Sequence, residues 1–232
     1  NKDSKYFEQW KSNTNAKKII SFGTKKGCDF QVVSTVIDFK KNLTSFILIN
    51  QNKETKCSIT GIGLHNSVNA AGALAVCSGI GLDIEEIVEN LKMVELPKRR
   101  LSPHKLSNGS LLIDDSYNAN PESVKQSIDT IFVSGMGTKI IVLGEMGELG
   151  KEVAKFHKEV SEYAKTRVDN FFCLGDLWKE GVKIFGEKGI LFSSQEELID
   201  HVSSMLETDT VILVKGSRSS RMDIVADKLK EF

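Results

Sequence analysis

From residue 110 onward, short apolar runs alternate with helical stripes, and nearly every run ends in a polar or glycine-bearing loop. Residues 110–113 break into Asp114-Asp115-Ser116. Residues 139–143 end in Gly144-Glu145-Met146-Gly147, and 171–174 end in Gly175-Asp176. The run 190–192 leads into Ser194-Gln195-Glu196-Glu197, and 211–214 end in Lys215-Gly216-Ser217-Arg218-Ser219. Apolar runs of this length bounded by turn residues read as buried strands. The segments between them carry a helical period. Val153, Phe156, Val160 and Tyr163 share one stripe over 151–166, a capping box at Ser194 opens a helix over 195–206, and Met222, Val225, Ala226 and Leu229 mark the last helix. The class is α/β, with about five strands in a doubly wound parallel sheet. Right-handed crossovers would gather the polar loops on one edge, where ligands bind in such sheets.

The densest of these loops is Leu112-Ile113-Asp114-Asp115-Ser116-Tyr117-Asn118-Ala119-Asn120-Pro121. Asn120 suits a helix N-cap and Pro121 the first helical position. Two carboxylates, a hydroxyl, a phenol and an amide precede that cap, more than a turn requires. The plainer alternative is a capped turn in which Asp and Asn satisfy their own backbone.

The first part of the chain differs. Residues 18–22, 30–38, 44–49 and 56–60 are β-like runs separated by turn residues and lysines, as hairpins require. An Ala-rich helix over 65–79 follows. A second starts at Asp83 with Glu86 three residues on and buries Ile84, Ile87, Val88 and Leu91. Leu96-Pro97-Lys98-Arg99-Arg100 reads as a linker, which divides the chain into domains 1–96 and 97–232.

Composition excludes several classes. Lys plus Arg and Asp plus Glu are 31 each in 232 residues, so no net positive charge argues for nucleic-acid binding. No apolar stretch approaches the ~18 residues of a membrane span, and Asn1-Lys2-Asp3-Ser4 lacks the shape of a signal peptide. Cys28, Cys57, Cys77 and Cys173 fit neither a zinc site nor a disulfide framework, and the expected compartment is the reducing cytoplasm. No Gly-x-x-x-x-Gly-Lys-Ser/Thr phosphate loop occurs, and Gly144-x-x-Gly147-x-x-Gly150 has no lysine at the required place.

Asp114 to Pro121 resembles a signature of the Mur ligase family, in its branch that adds D-Ala-D-Ala to UDP-MurNAc-tripeptide in peptidoglycan synthesis. Three further stretches are similar to that family's motifs: Gly63-Leu64-His65-Asn66-Ser67-Val68-Asn69-Ala70-Ala71, Val142-Leu143-Gly144-Glu145-Met146-Gly147-Glu148-Leu149-Gly150 and Leu213-Val214-Lys215-Gly216-Ser217-Arg218-Ser219. Order and spacing agree over 60–226, and residues 1–60 match loosely. The resemblance implies a three-domain ligase of which this chain is the back part. That part is the C-terminal half of the central ATPase domain (mixed strands plus two helices), followed by a Rossmann-like C-terminal domain. A missing front would hold the phosphate loop and the Mg2+ ligands, so no metal ligands are expected here. The implied reaction is ATP-driven amide formation through an acyl phosphate, with ATP and Mg2+ as cofactors. The partners are UDP-MurNAc-tripeptide and D-Ala-D-Ala, with no nucleic acid and no membrane, and the protein is expected as a monomer.

Residue roles follow from the same resemblance. Asn66 and Asn69, three apart at a helix start, would pair with the adenine edge. Arg100 would reach the γ-phosphate region as the catalytic cation, although Arg99 stands where the family usually has Gly. Asp115 would hold the ribose hydroxyls from an open cleft, with Asp114 ending the strand. Tyr117, Asn118 and Asn120 would face the peptide substrates, and Lys215, Ser217 and Arg218 would form a cationic, hydroxyl-bearing loop for a peptide carboxylate. Helix caps, a solvated linker charge and a helix N-terminus are the plainer alternatives. His65 and His157 are assigned to packing or capping. A non-catalytic nucleotide- or peptide-binding domain is the alternative for the chain, since it lacks the phosphate loop. A folylpolyglutamate synthase relative fits less well, because Ser-Tyr-Asn-Ala-Asn-Pro does not suit it.

Overall fold

A computed structural model describes all 232 residues, which form two compact units, Asn1–Leu96 and Pro97–Phe232. In the first unit, α1 (Phe7–Ser12) precedes β1 (Phe22–Gly23), β2 (Phe30–Asp38), β3 (Leu43–Asn50) and β4 (Lys53–Thr60). These strands form one sheet in chain order. β2, β3 and β4 are an antiparallel meander, whereas β1 pairs parallel to β2 through only two residues. The expected strand over 18–22 is therefore corrected: Lys18 to Ser21 lie outside the sheet and no hairpin joins β1 to β2. Asp29 accepts the backbone N–H and hydroxyl of Ser21, while the Ser21 carbonyl accepts the Phe30 N–H at 3.0 Å just ahead of the β1–β2 pairing. The β3–β4 loop is two residues, Gln51 and Asn52, both at positive φ, the geometry that matches strand twist.

Two helices cover one face of this sheet. α2 (Leu64–Gly79) presents Ala70, Ala71, Leu74 and Ala75, and α3 (Ile84–Asn90) presents Val88. They pack with Phe30, Val32, Phe46, Leu48 and Cys57 into one core. Asp83 caps α3, accepting the N–H of Glu85.

In the second unit, β5 (Ser102–Lys105) runs antiparallel to β6 (Leu111–Asp115). Then follow α4 (Pro121–Phe132), β7 (Thr138–Gly144), α5 (Val153–Ala164), β8 (Asn170–Leu174), α6 (Lys179–Phe185) and β9 (Gly189–Phe192). The chain ends with α7 (Gln195–Ser204), β10 (Thr210–Lys215) and α8 (Met222–Leu229). The strand order is β5-β6-β10-β7-β8-β9, and all but β5 are parallel. The five parallel strands are those expected. β5 is additional, and its Pro103 is tolerated because an edge strand leaves one row of N–H groups unpaired.

The chain winds outward through β7, β8 and β9, then returns to insert β10 between β6 and β7. Period-two alternation separates two cores. Leu112, Ile140, Val142, Phe172, Ile212 and Val214 pack against Leu198 and Val202 of α7 and against Met222, Val225, Ala226 and Leu229 of α8. Phe171, of opposite parity, stacks on Phe185 of α6 and meets Trp178 edge-on. At ~25 cal/mol per Å2 of apolar surface, each fully buried Leu, Ile or Phe contributes roughly 1.5–3 kcal/mol.

The buried stripe of α5 is rotated from the expected one, running through His157, Val160, Ser161 and Ala164 rather than Phe156 and Tyr163. His157 occupies the core because both ring nitrogens are satisfied. Nε2 accepts the Met146 N–H at 3.1 Å and Nδ1 donates to the Val153 carbonyl at 2.7 Å. Burial lowers its pKa, partly offset by that carbonyl and by Glu145.

A group whose folded pKa is depressed stabilises the fold above its unfolded value, near 6.5, and loses that contribution as pH falls toward the folded pKa. Urea unfolding should therefore show stability falling as pH drops below about 6.5, and the slope should shrink in His157→Gln. It should not vanish, because burial and Lys230 also depress His104. An unchanged slope would show that His157 is not buried in its neutral form.

Candidate functional site at the carboxyl edge of the second sheet

β6, β10 and β7 are parallel and in register, with Lys215 level with Asp115 and with Leu143. Their carboxyl ends therefore coincide, and loops 114–120, 144–150 and 215–219 share one edge, as the alternation of runs required. The loops are also bonded to one another. The Ser217 N–H donates to the Glu145 carbonyl at 3.0 Å, and Lys215 Nζ donates to the Asn118 carbonyl at 2.9 Å. Gly144 and Gly216 permit this approach: a Cβ on either would stand within 2.5 Å of Ser220 Oγ and Met222 Cγ.

Asp114 and Asp115 both belong to β6, and both are buried. This corrects the placement of Asp115 in an open cleft. Its Oδ2 accepts Lys215 Nζ and the Ser127 hydroxyl, each at 2.6 Å, and its Oδ1 accepts the Leu101 N–H at 3.1 Å. Lys215, 3% exposed, is likewise no free cation for a peptide carboxylate, since Asp115 and the Asn118 carbonyl hold it. Strand register forces the pair together from neighbouring strands, and a buried charge needs that partner. Ser217 is also buried, its hydroxyl 3.0 Å from that of Ser219. Asn120 caps α4 as expected: its side-chain amide oxygen accepts the Ser123 N–H in a capping box, and the residue is exposed.

The exposed groups on the edge are fewer. Arg100 is exposed, with its guanidinium 4.7 Å from the centre of the Tyr117 ring. Tyr117, Asn118 and Arg218 are exposed too, and Arg218 lies 3.9 Å from Asp223. Arg99 behaves differently from Arg100. It is half-buried, pairs with Asp227 at 2.8 Å and donates to the Asp223 carbonyl at 3.2 Å, while Asp114 accepts Lys230 Nζ at 2.7 Å. Hydrogen bonding to Asp227, opposed by burial, raises the Arg99 pKa. Burial would raise the Asp227 carboxyl, but Arg99 and Lys230 hold it below its ordinary value.

In the first unit, Asn66 and Asn69 sit on α2 in unlike surroundings. Asn66 is buried and donates to the Ile62 carbonyl at 2.9 Å, whereas Asn69 is exposed. The structure does not present them as an equivalent pair of free amides. No three His, Cys, Asp or Glu side chains converge as a metal site, and no helix is long and apolar enough to cross a membrane.

Sequence reasoning missed Ser127 and Glu145. Ser127 lies on the apolar face of α4 among Val124, Ile128 and Ile131, and a hydroxyl on such a stripe signals a buried acceptor. Glu145 accepts the Leu177 N–H at 3.0 Å and closes the turn after β8, for which the sequence held no local signal.

The family model for the Mur ligase, glutamate ligase domain matches residues 99–218. Among curated relatives, the UDP-N-acetylmuramoyl-tripeptide–D-alanyl-D-alanine ligase of Buchnera aphidicola subsp. Baizongia pistaciae is 33% identical, covering 100% of this chain and 50% of its own length. The Escherichia coli enzyme of the same name is 29% identical over 100% of this chain and 51% of its own. The chain thus spans about half the length of the curated relatives it matches. A crystal structure of MurF from Acinetobacter baumannii is similar with a TM-score of 0.80 and 24% identity, over 90% of this chain and 46% of that one. MurF from Thermotoga maritima in complex with ADP gives 0.76 and 23%, over 89% and 47%.

Breaking a buried pair by removing one partner costs about 3–5 kcal/mol. Asp115→Ala should lose stability in that range in urea unfolding. Adding Lys215→Met should return part of it, because the orphaned ammonium is removed. A loss below roughly 1 kcal/mol, the range of a solvated surface pair, would show that the pair is not buried.

Proposed function

Because this chain belongs to the Mur ligase family, we propose that it is part of a ligase that adds D-Ala-D-Ala to UDP-MurNAc-tripeptide, driven by ATP. One observation carries the reading. A chain aligned over its whole length with about half of a UDP-N-acetylmuramoyl-tripeptide–D-alanyl-D-alanine ligase offers an exposed Arg100, its guanidinium over the Tyr117 ring, at the carboxyl edge of a parallel sheet.

Amide formation through an acyl phosphate needs positioning and charge neutralisation more than acid–base chemistry. Arg100 is the cation suited to charge developing near the γ-phosphate, because Arg99 is consumed by Asp227. Tyr117, Asn118 and Arg218 offer the incoming peptides a ring face, an amide and a guanidinium. Asp115 and Lys215 hold the loops that carry these groups. On α2, Asn69 offers the exposed amide for the adenine edge, with Asn66 fixing the helix start. Mg2+ would neutralise phosphate charge, with ligands in a preceding half of the protein. The reading includes a monomer working in the cytoplasm, where the nucleotide-linked substrates of such a ligase would be met. For the 232 residues alone, a binding domain without turnover is the second reading, favoured by the lack of a phosphate loop.

With the preceding half supplied, ADP release should depend on both UDP-MurNAc-tripeptide and D-Ala-D-Ala, and Arg100→Ala should lower kcat by about 100-fold. The 232 residues alone should release none. Turnover by this chain alone, or indifference to D-Ala-D-Ala, would overturn the proposal.

A further inference from the structure

Arg100 stands between two residues in the left-handed region. Arg99 has φ +61° and Leu101 φ +46°, and neither is glycine. Such backbone persists only where surrounding contacts over-determine it. Here they do. The Arg99 N–H donates to Ser102 Oγ at 3.1 Å, and the Arg99 carbonyl accepts the Tyr117 N–H at 3.1 Å. On the other side the Leu101 N–H donates to Asp115, and the Leu101 side chain is buried.

The Arg99 side chain adds the remaining restraint. Its fork reaches Asp227 and the Asp223 carbonyl on α8, lies 3.5 Å from Ser116 Oγ, and stands 3.7 Å from Asp114. Lys230 bonds the same two carboxylates, Asp114 and Asp227. One guanidinium is therefore locked to α8 while the next, one residue on, is left exposed over Tyr117. A glycine would adopt this φ without strain but could supply no such clamp.

We propose that Arg99 is a positioning residue: by clamping 99–101 to α8 and to the end of β6, it holds the Arg100 guanidinium over Tyr117 at the carboxyl edge. The proposal rests on the reading of Arg100 given above, and it is tested in two ways that fail separately.

The first test needs no turnover. In this chain, labelled with 15N and 13C, Arg100 side-chain protons should show the upfield ring-current shift of a group over Tyr117. Tyr117→Leu should abolish that shift, which assigns it. Arg99→Ala and Asp227→Asn should move it toward the random-coil value while the core methyl resonances stay in place. A shift unchanged in Arg99→Ala would overturn the proposal.

The second test uses the intact ligase. Arg99→Ala should lower kcat about tenfold with KM little changed, Asp227→Asn should reproduce the loss, and Arg99→Lys should restore only part of it, since an ammonium lacks the fork. In an Arg100→Lys background, Arg99→Ala should add little further loss. A full tenfold additional loss there would show that Arg99 acts independently of Arg100 and would overturn the proposal. Absence of any ligation by the parent would refute the function reading alone, leaving the ring-current result to decide the positioning.

Discussion

The carboxyl edge of the second sheet depends on one buried ion pair. Asp115 closes β6 and Lys215 closes β10, and strand register sets them side by side. A carboxylate and an ammonium at this depth are tolerated only as partners with their remaining hydrogen-bonding capacity filled. Ser127 and the Leu101 N–H fill it for Asp115, and the Asn118 carbonyl contributes for Lys215. Those three partners belong to α4, to the segment before β5 and to the loop after β6. The pair therefore fixes the relative placement of every element that borders the edge between β6 and β10.

This arrangement separates the groups that build the edge from those that can act on it. Asp114, Asp115, Lys215 and Ser217 are spent inside the protein, and the exposed Asn120 commits its side-chain amide oxygen to the α4 cap. Arg100, Tyr117, Asn118 and Arg218 remain exposed. Two adjacent arginines illustrate the division. Arg99 has acidic partners on α8 and β6, while Arg100 has the face of an aromatic ring, which attracts a cation yet leaves its N–H groups free.

The fold was legible where one physical rule dominated. The parallel strands of the second unit were visible as apolar runs; for β6, β10, β7 and β8 the reason is burial on both faces, which leaves little room for polar residues, whereas β9 is a part-buried edge strand. The N-caps at Asp83, Asn120 and Ser194 were visible because orphan N–H groups demand an acceptor. What was not legible depends on contacts between distant segments. β5 is short, carries Pro103 and is a strand only because β6 lies beside it. The run over 18–22 looks β-like, but only its last residue enters the sheet, and the Ser21 N–H goes to the Asp29 side chain eight residues on. The polar residues of the edge were found from sequence, yet their division into buried and exposed was not. Asp115 and Lys215 are 100 residues apart in sequence, and nothing local to either announces the other.

That division has a mechanistic consequence. The proposed reaction through an acyl phosphate would need cationic groups held in place before charge develops, since reorganising them during the step would forfeit their benefit. A long, exposed arginine is poorly suited to this unless its backbone is fixed. Here the backbone on both sides of Arg100 is held in a conformation that non-glycine residues rarely adopt, by a buried carboxylate on one side and a clamped guanidinium on the other. The buried charges thus give rigidity, and the exposed ones inherit it. A substitution in the buried set should therefore disturb exposed groups that it never touches.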